Sequence, residues 1–182
     1  MRELSMHILD IAQNSIAAGA KVVRIDVVED AAADTMTITV ADDGSGMDSG
    51  AAQRIRDPFV TSRTTRQVGL GIPLFAAAAE RCGGGLAIAS APGSGTTVRA
   101  VFGLSHIDRA PLGDMAGTLM ALSVCNPDVD FVYNRERGDE SFRFDTREIR
   151  AELDGVPLSD PEVAAFIRDY IEQGERGLGG SL

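Results

Sequence analysis

A chain of 182 residues, 44% of them hydrophobic, with a formal net charge of −10, can bury a proper core in one domain with an extension. That charge argues against binding a nucleic-acid backbone, which relies on excess positive charge. No apolar run approaches the roughly 20 residues of a membrane span, and Met1-Arg2-Glu3-Leu4 lacks a signal-peptide layout.

The two cysteines, Cys82 and Cys125, are isolated and have no metal-type spacing. They fit a cytoplasmic protein, the expected location, that engages neither nucleic acid nor membrane.

Residues 3–18 read as a helix with two apolar stripes, one through Leu4, Ile8, Ile11, Ser15 and Ala18, the other through Leu9, Ala12 and Ile16. Residues 21–29 and 35–41 read as strands around the turn 31–34. Asp42 to Gly46 is a Gly-rich loop, 49–56 a short helix and 57–68 a loop. Leu70 to Arg81 is a helix broken by Gly83-Gly84-Gly85, and strands over 86–90 and 96–103 follow. This order predicts an α/β (α+β) fold, a two-layer sandwich in which a mixed sheet is covered by helices on one face.

Composition shifts after Gly103. Residues 1–103 carry 9 basic and 11 acidic side chains, and residues 104–182 carry 8 and 16. The acidic part reads as a helix over 112–125, strands over 129–135 and 141–145, and a helix over 160–173 with Pro161 in its first turn. Its apolar positions are too many for a floppy tail. Residues 104–173 are therefore expected to form an αββα unit, packed on residues 1–103 or joined to a second copy of the chain. Residues 174–182 are expected to be a flexible tail.

Three motifs carry chemistry. On the first helix, His7, Asp10 and Asn14 fall within an arc of roughly 60° flanked by apolar residues. A polar strip in such surroundings is costly without partners. Asn14 offers a neutral oxygen suited to magnesium that also takes phosphate oxygens, and Asp10 can orient or deprotonate a water. At Asp42-Asp43-Gly44-Ser45-Gly46, Asp42 can accept from an exocyclic amine such as that of adenine, while Gly44 and Gly46 let backbone approach a flat ring. A surface turn is the alternative for that loop taken alone. Gly69-Leu70-Gly71 opens a helix and exposes N–H groups to a phosphate. Thr64, Thr65 and Arg66 just ahead can add hydroxyl and cationic contacts, an ordinary polar loop being the other reading. Neither a dinucleotide fingerprint nor a Walker loop is present. His7 reads as a structural or pocket-edge histidine, and His106 as a loop hydrogen-bonding residue.

In this order the motifs resemble the GHKL ATPases of the Bergerat fold, which include DNA gyrase, the large heat-shock chaperones, histidine kinases and MutL. The resemblance covers residues 3–103. Asp10-Ile11-Ala12-Gln13-Asn14 looks like the N box, which implies that Asn14 binds magnesium. The family's general base is usually a Glu where this chain has the shorter Asp10, which points to slow hydrolysis. Asp42, Gly44 and Gly46 match the adenine-binding G1 box, Asp57-Pro58-Phe59 the element anchoring the ATP lid, and Gly69 and Gly71 the G2 box. Gly95-Thr96-Thr97 matches the final strand, which implies that Thr96 joins the adenine network.

The resemblance implies ATP and Mg2+ as cofactors and a lid over 60–68 that orders around the triphosphate. Only two residues precede the N-box helix, and no dimerising hairpin or transducer domain is expected. The stand-alone form is similar to anti-sigma-factor serine kinases, which implies a kinase or slow ATPase acting on a protein partner docked on residues 104–173. A nucleotide-sensing interaction module is the alternative, and a homodimer a further arrangement. The run Ser105-His106-Ile107-Asp108-Arg109 also resembles a small family of free-standing ATP-binding proteins.

Overall fold

The computed structural model describes residues 3–54 and 71–178, with the side chains of 52–54 left aside. In chain order the elements are α1 (Leu4–Ala17), β1 (Val22–Asp30), β2 (Thr35–Asp42), α2 (Ser49–Arg54), α3 (Gly71–Arg81), β3 (Gly85–Ser90), β4 (Thr96–Gly103), α4 (Met115–Cys125), β5 (Asp130–Arg137), β6 (Glu140–Asp145), α5 (Thr146–Glu152) and α6 (Pro161–Gly177). The expected loop over 57–68, the first residue of the helix expected from Leu70 and the 60–68 lid lie outside the described residues.

The six strands form one mixed sheet in the order β3-β4-β2-β1-β5-β6. All neighbours are antiparallel except β1 and β5, which run parallel from Val22↔Asp130 to Glu29↔Arg137. The period-2 alternation seen in the sequence sends Val23, Ile25 and Val27, Met36, Ile38 and Val40, and Val98, Ala100 and Phe102 to one buried face. There they meet Ile8 and Ile11 of α1, Phe75 of α3, Leu119 of α4 and Ile167 of α6 in one continuous core. Arg24 and Arg99 of the opposite parity are exposed.

Residues 104–178 are part of this core. β5 extends the sheet at β1, and α4 packs against α1, β5 and α6. The all-round apolar sequence of α4 suits a helix with neighbours on several sides. The extension also caps α1, which has no side-chain N-cap: Leu4 N donates to Pro111 O at 3.0 Å and Ser5 N to Leu112 O at 2.8 Å.

Two expectations are corrected. The unit after Gly103 has a helix not anticipated, α5, so its order is αββαα. Asp145 caps it, accepting from Arg147 N at 3.0 Å. Residues 174–178, expected in a flexible tail, are ordered instead: α6 runs on to Gly177 and Leu178 is buried, and residues 179–182 lie outside the described residues. Gly174, expected as the first residue of the tail, is a packing residue. A Cβ there would lie 2.2 Å from the Phe142 ring, so only glycine lets that ring lie against the helix.

A buried ion cluster ties α6 to the sheet. Arg135 Nη2 lies 2.5 Å from Glu29 Oε1 and Arg135 Nε 3.6 Å from Glu175 Oε2, the second an ion pair too long for a hydrogen bond. Tyr133 donates its hydroxyl hydrogen to Glu175, and burial holds its pKa well above the ordinary phenol value.

Asp145 generates the stability prediction. Its carboxylate, 2% exposed, accepts from Arg147 Nη2 at 2.6 Å and Arg143 Nη2 at 2.8 Å, and the hydrogen bonding from Arg147 leads in lowering its pKa to about 2. A depressed folded-state pKa gives stability that is present above the ordinary carboxylate value and lost as pH falls through about 2. Asp145→Asn, which keeps an N-cap oxygen but not the charge, should cost about 1–3 kcal/mol near neutral pH. The gap between the urea midpoints of wild type and variant should shrink as pH drops below 4; a gap independent of pH would contradict the assignment.

Candidate functional site

Where β2 ends, Asp42 becomes a meeting point for three parts of the chain. Its Oδ1 accepts from Gly44 N at 2.9 Å and from Thr96 N at 3.2 Å, and its Oδ2 accepts from Ser15 Oγ at 2.6 Å. Helix α1, the loop after β2 and the start of β4 are thereby fixed to one carboxylate. An ionised carboxylate has about four acceptor directions, so three protein donors leave one for a ligand donor.

The adjoining loop is held just as closely. Asp43 Oδ1 accepts from Lys21 N at 2.7 Å and Val22 N at 2.9 Å, and the Val22 bond leads in lowering the Asp43 pKa. Ser90 Oγ accepts from Met47 N at 2.8 Å and lies 3.0 Å from Gly95 O and 2.9 Å from Thr96 Oγ1. Gly46 and Gly95 have φ of +65° and +78°, and a Cβ on either would come 1.9 Å from a backbone oxygen, of Ala91 and Asp42 respectively. The two turns interlock because neither residue carries a side chain.

Against this frame lies a cavity of about 230 Å³. Asp42, Asn14, Ser15, Gly46 and Thr96 line it, with Ile11, Met47, Ile72 and Val98 as its apolar wall. An apolar slot with one anionic acceptor is suited to a flat ring that carries a hydrogen-bond donor.

The residues singled out from sequence fall into three groups. Asn14, Asp42, Gly46 and Thr96 converge on the cavity, and Gly44 sits beside it with its N–H on Asp42. Thr96 reaches Asp42 through its backbone N–H, while its hydroxyl turns to Ser90. Asp10 and Gly71 meet each other: a Cβ at Gly71 would lie 2.9 Å from Asp10 Cβ, so glycine lets the first turn of α3 rest on α1. Burial raises the Asp10 pKa, making it a stronger base than a solvated aspartate. Thr64, Thr65, Arg66, Gly69 and Leu70 lie outside the described residues.

His7 does not join the others. It is 4% exposed and stacks on Phe75 with ring centroids 5.0 Å apart. Burial chiefly lowers its pKa to about 4, so it is neutral at physiological pH, and its Nδ1 has no hydrogen-bond partner. The polar strip of α1 is thus a gradient of burial, from His7 in the core through half-buried Asp10 to exposed Asn14. His106 has the expected loop role, its Nδ1 accepting from Asp108 N at 3.2 Å.

Sequence reasoning missed Ser15, Ser90 and Asp43. Ser15 was legible as a hydroxyl inside an apolar stripe, which needs a partner when buried. Ser90 and Asp43 carry no such local signal.

Among the described residues no group of three or more His, Cys, Asp or Glu could hold a metal ion, and no helix is long and apolar enough to cross a membrane. The solved N-terminal domain of a DNA repair protein has a similar fold, with a TM-score of 0.54 at 14% identity, covering 79% of this chain and 52% of that one. The chain is 31% identical over 117 residues to the non-motile and phage-resistance protein of Caulobacter vibrioides, a match covering 59% of this chain and 14% of the relative. It is 36% identical over 58 residues to the sensor protein kinase FleS of Pseudomonas aeruginosa, covering 32% of this chain and 14% of the relative. The matches thus span only a small part of these longer proteins. Residues 2–106 match the model of the histidine kinase-, DNA gyrase B- and HSP90-like ATPases. The match takes in more than half of the chain and the whole Asp42 frame, and the protein belongs to that ATPase family.

Proposed function

We propose that the chain binds Mg2+-ATP in the cavity beside Asp42 and acts as a kinase of a protein partner or as a slow ATPase. The observation that carries this reading is the Asp42 carboxylate, held by Gly44, Thr96 and Ser15 at the wall of an apolar slot. The donor set fits the nucleotide. Asp42 accepts from the exocyclic amine of the base, and Ile11, Met47, Ile72 and Val98 exclude water from the ring.

Asn14, exposed at the rim, supplies a neutral oxygen to the metal, a ligand that suits magnesium also held by phosphates and water. The first turn of α3 presents backbone N–H groups to phosphate. Bound Mg2+-ATP supplies an activated γ-phosphoryl group. Asp10, with its raised pKa, takes the proton from the attacking hydroxyl or water. Asp57-Pro58-Phe59, Thr64, Thr65, Arg66, Gly69 and Leu70 complete the site as lid and phosphate contacts.

A second reading is a nucleotide-sensing module that binds ATP without turning it over. One observation favours it: Asp10 packs against Gly71 and is not among the described residues lining the cavity. Incubation with γ-labelled ATP and candidate partners separates the two. Transfer of label to a partner supports the kinase, and nucleotide-dependent complex formation without transfer supports the switch. Residues 104–173, net acidic, are the proposed docking surface, and capture of a basic partner there should weaken with salt.

Two variants test the site. Asp42→Asn can keep its bonds to Gly44, Thr96 and Ser15, because the amide oxygen takes the two N–H groups and the Ser15 hydroxyl can accept as well as donate. It then offers an amide donor to the donor of the base. ATP affinity measured by calorimetry should fall by about 1–3 kcal/mol with an unchanged melting temperature; wild-type affinity would remove Asp42 from the adenine contact. Asn14→Ala should abolish most of the tightening of ATP binding by magnesium, since it deletes the side-chain oxygen proposed as the ion's ligand. Unchanged magnesium dependence would place the ion elsewhere.

A further inference from the structure

The run ending in Arg109 has no part in the ATP site, and the structure puts it at the other end of the sheet. Asp42 faces Val23 at the start of β1, whereas Glu29 and Asp30 close the same strand. The two ends are roughly 20 Å apart, at about 3.3 Å per residue. There the β1–β2 turn, the turn after β4 and the β5–β6 hairpin enclose a cavity of about 330 Å³ lined by Glu29, Ala31, Leu104, Arg109, Arg137 and Gly138.

Arg109 donates from Nε to Leu104 O at 2.7 Å and from Nη1 to Ala110 O at 3.5 Å, with Met36 Sδ 4.0 Å from Nη1. These contacts fix the guanidinium plane and leave Nη2 without a hydrogen bond among the described residues. Among the described residues Arg109 has no carboxylate partner. Arg24, Arg81 and Arg99 share that property but are exposed, whereas Arg109 is half-buried. A partly desolvated charge without a counter-ion is costly.

The one acid lining the cavity does not supply it. Glu29 Oε1 is taken by Arg135 Nη2 at 2.5 Å and Oε2 by Arg137 Nε at 3.3 Å. Arg137 Nη1 donates to Leu178 O at 3.3 Å, and among the described residues its Nη2 has no hydrogen bond. Asp30 nearby accepts from Ala32 and Ala33 N–H in its own turn, and Asp34 bridges to the turn after β4 by accepting from Ser105 N–H and Oγ–H. The lining thus holds two guanidinia, Arg109 and Arg137, and one carboxylate, Glu29, which is already taken by Arg135 and Arg137.

We propose that this cavity is a second ligand site, separate from the ATP site, for a small molecule bearing a phosphate or carboxylate group, with Arg109 and Arg137 as its donors. A guanidinium fork matches both anions. Ala31 and Leu104 give the remainder of the ligand an apolar wall, and the volume falls within the range of small-molecule pockets, about 300–1,000 Å³.

The test is a titration of the 15N-labelled full chain with inorganic phosphate and, separately, with citrate, at constant ionic strength balanced by chloride. Saturable shifts are expected at the amides of Ala31, Leu104, Arg109 and Gly138, read apart from those of Gly44, Ser45 and Thr96 at the other end. The tighter probe assigns the ligand as phosphate or carboxylate. Arg109→Gln should weaken it about tenfold or more, loss of a charge-assisted hydrogen bond being that large. Arg137→Gln, on a half-exposed side chain whose loss the fold tolerates better, should act in the same direction, and Arg99→Gln on the open sheet face should leave binding unchanged. The proposal is overturned if neither anion gives saturable shifts at these amides, or if both Arg109→Gln and Arg137→Gln bind as tightly as wild type.

Discussion

The parallel pairing of β5 with β1 is the constraint on which the molecule depends. Without it β1 would be an edge strand, and α1 would lose the packing of α4, which sits on β5. The same connection brings Pro111 and Leu112 to the first turn of α1, where their carbonyls accept the orphan N–H groups of Leu4 and Ser5. The helix that carries Asp10 and Asn14 is therefore seated by residues more than 100 positions later in the chain. A parallel strand needs a long crossover, which the segment from β2 to β5 provides.

Within that frame the Asp42 end is built on backbone donors answering side-chain acids. Asp42 gathers Gly44, Thr96 and Ser15, and Asp43 gathers Lys21 and Val22. Carboxylates satisfied in this way are positioned without cationic side chains. The opposite end uses the reverse chemistry, in which the guanidinia of Arg109 and Arg137 take backbone carbonyls as partners. A single sheet thus carries two unlike polar ends joined by an apolar middle, and β1 runs through both.

The resemblance read from the sequence and the fold agree because the motifs depend on local geometry. Gly46 and Gly95 are needed where φ is positive and backbones approach closely, and such positions are visible as glycines in any sequence. Gly174 shows the limit of that reasoning. Locally it reads as a helix end, yet the Phe142 ring, from a strand more than 30 residues earlier, gives it a place inside α6. The unanticipated α5 is similar: at Thr146–Glu152 it is short, and it is held by its Asp145 cap and by Arg150, which reaches Asp130, Pro127 and Val129.

By itself the sequence determined the alternation that makes the strands, the apolar stripes of α1 and α6, and the glycines and acids of the nucleotide loops, because each is a pattern within a few residues. Only the tertiary structure decided which polar groups meet. His7, Asp10 and Asn14 share one helical arc, but the packing of α3 buries His7 on Phe75, sets Asp10 on Gly71 and leaves Asn14 at the cavity rim. Ser90 and Asp43 entered the site, and Arg109 the far cavity, through contacts with residues distant in the chain. Helical and strand periods state which face a side chain occupies; what that face is pressed against depends on sheet order, and sheet order is set by burial summed over the whole chain.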